Sequence, residues 1–251
     1  MRSFDPIAVQ FEAPRAWPPH ISLQFQQALL SGSEVPGDAR ILEIGCGTGR
    51  VGKGLCRAGA HYLGLDHSKA MLAEFCRELA GAPVVCAEGA QLPFASRGFD
   101  LTLLIQVIGP RADWPQVLAE AIRVLRPGGV LAMGRRERAA DSLEARLNRK
   151  LNELIPAARE DAQRNRGQAR QWLEACSLRH REILAASWSE NHSVSQFIER
   201  KRSAARFRRL PQATQDGALL ALECWARETI GELDRLWPQE QGLVLELFWP
   251  R

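Results

Sequence analysis

The stretch Ile41-Leu42-Glu43-Ile44-Gly45-Cys46-Gly47-Thr48-Gly49-Arg50 combines a short apolar run, an acid and three alternating glycines. The apolar run is typical of a buried strand, and the polar and basic residues after the glycines are typical of the start of a helix. Glycine adopts positive φ angles readily and allows a ligand to approach the main chain closely. A helix N-terminus adds unpaired N–H groups and a partial positive charge. The stretch therefore predicts a strand–loop–helix unit that binds a nucleoside-bearing ligand.

Strand and helix patterns alternate from residue 40 to residue 134. Short apolar runs predict strands at 40–44, 61–65, 84–86, 99–108 and 130–133, and amphipathic patterns between them predict helices at about 50–58, 68–79 and 113–125. Such alternation predicts a parallel sheet with helices on both faces. Ligands of these sheets bind beyond the carboxyl ends of the strands. That edge is predicted to hold the loops 45–50, 66–67, 88–91 and 106–109.

The chain on either side of this core has mostly helical patterns in place of the strand–helix alternation. Residues 1–38 contain a helical pattern, which predicts a helix on the edge of the core or an N-terminal helical flap over the ligand that uses Phe11, Arg15 or Trp17. Residues 135–176 and 193–237 have helical composition, the latter as two helices at 193–210 and 213–237. Loose alternation predicts strands at about 181–188 and 243–249. The predicted domains are 1–38, an α/β core at 39–134, and 135–251 as a helical lid with two more strands of the core sheet.

Composition excludes several classes of protein. The chain has 251 residues, 45% of them hydrophobic, and a net charge of +4, which is too small to indicate a nucleic-acid partner by itself. We see no run long enough to span a membrane and no secretory signal at the N-terminus. Six scattered cysteines form no C-x-x-C pair, so we expect reduced thiols, no metal and a cytoplasmic location.

The glycine pattern discriminates among nucleotide ligands. A dinucleotide-binding loop has a third glycine where this chain has Arg50, and the lysine–serine or lysine–threonine pair of a phosphate-binding loop is absent. Glu43 would repel a pyrophosphate but would favour a cationic amine or sulfonium. These residues argue against a nicotinamide-dependent reductase.

Five segments in order resemble class I S-adenosylmethionine (SAM) methyltransferases, most closely the broad UbiE-like branch that methylates mostly small molecules. They are the glycine stretch, Asp66 at the end of the second strand, and the segments 87–94, 99–102 and 124–129. The resemblance covers about residues 38–134. It implies a Rossmann-like, doubly wound α/β fold with a mostly parallel sheet of seven strands, the last antiparallel, and a helical cap. It also implies SAM as cofactor and S-adenosylhomocysteine as product.

The resemblance further implies roles for single residues. The loop glycines, with Cys46 as a small filler, would admit the methionine part of SAM, and Glu43 would orient the loop or meet the amino group through water. Asp66 would accept both ribose hydroxyls, His67 and Met71 would flank the adenine, and Glu88 and Gly89 would face its polar edge. Gln106 would hold the methionine end. The implied cofactor-binding set is Glu43, Gly45, Cys46, Gly47, Gly49, Asp66, His67, Met71, Glu88, Gly89 and Gln106.

The methyl acceptor is not readable from these motifs. Glu88 and Gly89 depart from the family's usual Asp and Ala, and residues 106–109 lack the His pair common in this branch. We expect methyl transfer by direct displacement to a small molecule, with no catalytic residue identified. Two alternatives stay open: an RNA or protein methyltransferase that uses the basic cluster at 200–209, or a non-catalytic SAM-binding protein. Sparse aromatics in that cluster make nucleic acid the less favoured partner.

Overall fold

The computed structural model describes residues 17–109, 112–155, 160–204 and 207–251. The strands are β1 (Arg40–Ile44), β2 (His61–Asp66), β3 (Val84–Cys86), β4 (Phe99–Ile105), β5 (Leu125–Arg138), β6 (Ser177–His192) and β7 (Trp237–Pro250). The helices are α1 (Pro19–Ser33), α2 (Gly52–Arg57), α3 (Lys69–Glu78), α4 (Trp114–Arg123), α5 (Leu143–Leu154), α6 (Glu160–Cys176), α7 (Val194–Ser203) and α8 (Gln212–Thr229). A 3₁₀ turn spans Phe207–Arg209.

The strands form one sheet in the order β3-β2-β1-β4-β5-β7-β6. The first five pair in parallel, with Leu42 of β1 opposite Leu63 of β2 on one side and Thr102 of β4 on the other. The sheet as a whole is mixed and mostly parallel, which confirms the predicted fold class. The strand order reverses between β1 and β4, so the glycine loop after β1 lies at the switch point where such sheets bind ligands.

The core elements at 40–105 match the sequence prediction closely, but those after residue 125 differ. Residues 135–138 continue β5 although their charged composition predicted a helix. This extension lies beside the neighbouring strand β7, where Arg135 forms an ion pair with Glu246, with Nε 3.9 Å from Oε2. β6 and β7 are likewise longer than the predicted strands at 181–188 and 243–249.

The two helices predicted at 193–210 and 213–237 are shorter in the structure. The first ends at Ser203, and the second ends at Thr229 because the N–H groups of Ile230 and Gly231 both donate to the carbonyl of Ala226. Gly231 then takes a φ of 103°, which only glycine adopts cheaply, so the chain leaves the helix there. The helical spacing of apolar residues continues past residue 229, which is why the sequence predicted a longer helix. Gly231 within that spacing marks the end of the helix.

The structure divides into two compact units. Unit 1 comprises the described residues within 1–136, 161–186 and 243–251, and unit 2 comprises those within 137–160 and 187–242. Helix α6, predicted as part of the lid, belongs to unit 1 from residue 161. Unit 1 has its core between the sheet and its helices, where Leu42, Leu104 and Val117 are fully buried. Helix α1 belongs to this unit and buries Ile21 and Phe25.

Unit 2 has a separate apolar core. It is built from α5, α7 and α8, whose inward positions include Leu147, Phe197 and Leu222. Helix α7 begins with a capping box in which Ser193 accepts from the Gln196 N–H and the Gln196 side chain accepts from the Ser193 N–H. Within the described part of the chain, no helix is both long and apolar enough to cross a membrane.

Two leucines on α8 test the placement of this core. Leu222 is 0% exposed and Leu220 is 64% exposed. We expect Leu222→Ala to lower the free energy of unfolding by about 2–5 kcal/mol, because it leaves a cavity, whereas Leu220→Ala should change it by about 0.5 kcal/mol or less. Urea unfolding followed by circular dichroism measures both, and equal effects of the two variants would contradict the packing of α8.

Candidate functional site

The glycine loop that follows β1 is held against the protein at two of its glycines and open at the third. Gly45 has a φ of 78°, and a Cβ there would lie 2.6 Å from Val107 Cγ2; Gly49 has a φ of 83°, and a Cβ there would lie 2.5 Å from the Phe75 ring. A Cβ at Gly47 would meet nothing within 4 Å. The loop therefore packs against the segment that follows β4 and against α3, while its centre at Gly47 faces open space that a ligand can occupy.

Asp66 ties this loop to the end of β2. Its Oδ2 accepts a hydrogen bond from the Gly47 N–H at 2.9 Å, and its Oδ1 accepts one from the Ser68 N–H at 2.9 Å. The Asp66 carbonyl also accepts from the Ala87 N–H at 3.1 Å, which brings the end of β3 to the same place. Each carboxylate oxygen has a second lone pair, so Asp66 can still accept hydrogen bonds from a ligand.

Glu43 is buried directly behind the loop. Its Oε2 accepts from the Tyr62 hydroxyl at 2.7 Å, and the side chain is almost fully enclosed. Burial raises the pKa of Glu43 to about 7, while the Tyr62 hydroxyl and the charge of Arg50 oppose the rise. Glu43 is thus placed to hold the loop from below.

Tyr62 was not singled out from the sequence, although it is the only tyrosine in the chain. A signal for it existed in the strand itself. Gly64 lies in the middle of β2, and a Cβ there would come within 2.7 Å of the Tyr62 hydroxyl and 2.9 Å of Cys46 Sγ. A glycine inside a strand often marks such a close approach.

Cys46, His67 and Met71 lie around Asp66 and the loop with different exposures. Burial raises the pKa of the Cys46 thiol well above its usual range, so it stays protonated and is a poor nucleophile. His67 is mostly buried, with Nδ1 3.4 Å from Asp66 Oδ1. Met71 is buried on the inner face of α3, and its N–H donates to the Ser68 hydroxyl that caps the helix.

Glu88, Gly89 and Gln106 belong to two further loops of this edge. Glu88 is exposed in a turn, and Gly89 is buried where a Cβ would lie 3.0 Å from Ile44 Cγ2. Gln106 is exposed at the end of β4 with a φ of 59°, which costs a non-glycine residue on the order of 1 kcal/mol. Strained residues of this kind cluster at functional sites. The structure therefore brings the predicted loops together, with Gln106 as a strained member.

Two other contacts at this edge were missed by sequence reasoning. Arg50 lies over the Trp17 ring, with Cζ 5.5 Å from the ring centroid, which links the N-terminal segment to the glycine loop. Asn165 of α6 donates from Nδ2 to the Gly109 carbonyl at 3.2 Å. Phe11 and Arg15, the other flap candidates, lie outside the described residues. Among the described residues, no group of three His, Cys, Asp or Glu side chains is arranged to hold a metal ion.

The pKa of Glu43 predicts a pH-dependent stability. Between about pH 4.5 and pH 7 the unfolded chain loses this proton while the folded chain keeps it, so the contribution of Glu43 to the free energy of unfolding falls as the pH rises. Glu43→Gln removes the titrating group, and we expect it to exceed the wild type at pH 8 by up to roughly 3 kcal/mol and to match it near pH 5.

Urea unfolding at pH 5, 6.5 and 8 measures this difference. Glu88→Gln is the matched control in an exposed turn of the same unit and should follow the wild-type pH dependence. Parallel pH profiles for Glu43→Gln and the wild type would show that Glu43 titrates normally in the folded state.

The fold and the loop geometry define a Rossmann-like nucleoside-binding protein, and comparison with known proteins identifies the family. Residues 42–133 match the family described as "Methyltransferase domain". The chain is 32% identical to a malonyl-[acyl-carrier protein] O-methyltransferase of Enterobacter lignolyticus over 81% of this chain and 76% of the relative. The chain belongs to the family of SAM-dependent methyltransferases.

Other similarities are narrower or more distant. A phthiotriol/phenolphthiotriol dimycocerosates methyltransferase of Mycobacterium leprae is 37% identical over 51% of this chain, and the match spans 46% of that relative, less than half its length. Among solved structures, the YcgJ protein of Bacillus subtilis superposes with a TM-score of 0.59 over 91% of this chain and 98% of that one, at 17% identity. That similarity concerns the fold.

Proposed function

We propose that this protein binds SAM at the edge formed by the glycine loop, Asp66 and Gln106, and transfers its methyl group to a carboxylate of an acyl substrate. The proposed class of acceptor rests on how much of this chain is similar to each relative. The relative named for methylation of malonyl-[acyl-carrier protein] matches across 81% of the chain, including the part after residue 134, whereas the mycobacterial relative matches 51%. We expect the acceptor to be selected by the part of this chain that lies outside the cofactor core, and the similarity extends into that part.

The residues at this edge fit a nucleoside cofactor. Gly47 leaves open space above the loop, as an approach of the methionine part to the main chain requires. Asp66 keeps acceptor capacity for the ribose hydroxyls, and such charge-assisted hydrogen bonds are stronger than neutral ones. Glu43, buried behind the loop, accepts a hydrogen bond from the Tyr62 hydroxyl and leaves the space above the loop clear.

When bound, SAM supplies a methyl group activated by a positively charged sulfur. A carboxylate acceptor is already ionised at neutral pH, so its oxygen attacks as an anion and no proton has to be removed. Transfer to such an acceptor therefore needs no general base. Its residues have to align the acceptor oxygen with the methyl group and exclude water.

Three side chains of the basic cluster at 200–209 are engaged within unit 2, which disfavours the RNA or protein acceptor. Arg200 pairs with Glu144, Lys201 Nζ donates to Asn148 Oδ1 at 2.7 Å, and Arg202 pairs with Glu199 at 2.8 Å. A surface that binds phosphates needs such cations directed at the nucleic acid. A small-molecule or carrier-bound acyl acceptor is the better proposal, and a cytoplasmic location remains a prediction.

Replacement of Asp66 tests the cofactor site. We expect Asp66→Ala to weaken S-adenosylhomocysteine binding at least about tenfold, because it removes charged hydrogen bonds worth roughly 1.5–3 kcal/mol. Isothermal calorimetry measures the affinity, and Asp38→Ala, an exposed acid of the same unit, serves as control. Asp66→Asn retains one oxygen for the Gly47 N–H and separates loss of ribose contacts from loss of loop geometry. Unchanged affinity in a folded Asp66→Ala protein would contradict the placement of the ribose.

The acceptor is tested with methyl-labelled SAM. The purified protein is offered a malonyl-loaded acyl carrier protein, malonyl-coenzyme A, and a demethylated quinol as a carbon acceptor. A methyl ester is hydrolysed by alkali and releases its label as methanol, whereas methyl groups on carbon or nitrogen stay attached. We expect alkali-labile label on a malonyl substrate. Label that appears only in alkali-stable product refutes carboxylate methylation, and no transfer to any acceptor despite SAM binding favours a non-catalytic protein.

A further inference from the structure

Unit 2 contains a buried polar cluster that plays no part in the site described above. Its centre is Glu144, at the start of α5, which is almost fully buried. Arg138 at the end of β5 approaches Glu144 Oε2 with its Nε at 2.8 Å, Arg200 of α7 pairs with the same carboxylate, and His192 Nδ1 lies 3.3 Å from Oε1. Burial alone would raise the pKa of Glu144, but the His192 hydrogen bond and the two arginine charges outweigh it and lower the pKa to about 2. Glu144 is therefore ionised and fully compensated.

The cluster has more positive charge than Glu144 neutralises. Lys201 lies in the same group, and burial lowers its pKa to about 8; the charge of Glu144 opposes this shift and the charges of Arg138 and Arg200 add to it. Glu190 is the other acid at the cluster, with Oε2 3.2 Å from His192 Nε2. The cluster thus contains two acids, Glu144 and Glu190, and three cations, Arg138, Arg200 and Lys201.

Gln241 leaves a buried donor beside this excess charge. The residue is 2% exposed, and its Oε1 accepts from Arg138 Nε at 3.0 Å. That bond fixes the orientation of the amide, because the flipped amide would place two donors face to face. The Nε2 group then has no hydrogen-bond partner. A buried donor without a partner costs about 1–3 kcal/mol, so the chain retains an unfavourable group next to the Arg138 guanidinium.

Arg138 also has unused donors. Both of its contacts with Glu144 and Gln241 use Nε, and within the described residues its two terminal amino groups make no hydrogen bond. The side chain is 32% exposed, so solvent and small solutes reach it. A guanidinium with free terminal amino groups is a geometric match for the two oxygens of an oxyanion.

We propose that Arg138, Gln241 and Lys201 form a binding site for a small oxyanion, distinct from the cofactor site. The terminal amino groups of Arg138 bind two oxygens of the anion, Gln241 Nε2 donates to one of them, and Lys201 balances its charge. The shared chemistry is that of a carboxylate and a phosphate monoester. The proposal goes beyond the methyl-transfer function and does not depend on which acceptor is methylated.

Thermal unfolding of the full chain in the presence of malonate or inorganic phosphate tests the site. Ionic strength is held constant with sodium chloride, so that a general salt effect is the same at every point. We expect a saturable rise in Tm for the wild type with at least one of the two anions, and the stronger response identifies carboxylate or phosphate as the source. We expect Arg138→Lys to raise the anion concentration at half-maximal Tm shift at least tenfold, because lysine keeps the charge but loses the paired donors. We expect Gln241→Glu to abolish the Tm shift, because it places a carboxylate in the site.

The matched control is Arg202→Gln, an exposed cation on α7 that pairs with Glu199 and lies outside the proposed site. Its titration should follow the wild type. Equal, non-saturating shifts in all four proteins would show an adventitious salt effect and would overturn the proposal.

Proton uptake gives a second readout that does not depend on variants of Arg138 or Gln241. An anion bound beside Lys201 stabilises its charged form, so binding at pH 8 should take up a fraction of a proton. Calorimetry in two buffers of different ionisation enthalpy measures this fraction, and Lys201→Met should remove it. Binding without linked proton uptake in the wild type would exclude Lys201 from the site.

Discussion

The hydrogen bond from the Gly47 N–H to the Asp66 carboxylate is the contact on which the functional edge depends. It joins the loop after β1 to the end of β2 across a distance of 2.9 Å, and the same residue holds the end of β3 through its carbonyl. A parallel sheet aligns its strand ends but does not fix the loops that leave them. An acid at the end of β2 supplies that constraint, because a carboxylate accepts several backbone donors at once. One side chain thereby sets the shape of the open space above the loop.

A group of buried side chains lies beneath this loop, and the sequence did not predict that they contact one another. Glu43, Tyr62 and Cys46 fill a pocket whose size is set by the missing side chain of Gly64. The acid before the glycines was visible as a motif, but its role follows from burial, which no local pattern reports. Burial raises the pKa of Glu43 to about 7, so the carboxyl group behind the loop changes its charge near neutral pH.

The sequence was most informative where local chemistry and topology agree. Alternating strands and helices predicted the sheet at 40–105, and the glycine loop, Asp66 and Gln106 converge at one edge because the carboxyl ends of parallel strands meet there. It was least informative after residue 134. Charged residues at 135–138 have helical composition, but they are strand residues, and two of their charges are paired far along the chain, Arg135 with Glu246 of β7 and Arg138 with Glu144 of α5. The Glu144 cluster unites residues from three strands and two helices, and such long-range pairing leaves no periodic signal.

Position 64 tolerates few substitutions, because its glycine lies where other side chains come close. A methyl group at Gly37 or Gly59 would meet nothing within 4 Å, whereas one at Gly64 would approach both the Tyr62 hydroxyl and the Cys46 sulfur. The space that the Tyr62 hydroxyl and the Cys46 sulfur occupy exists only because position 64 has no side chain. Any larger residue at position 64 therefore requires a correlated replacement at Tyr62 or Cys46.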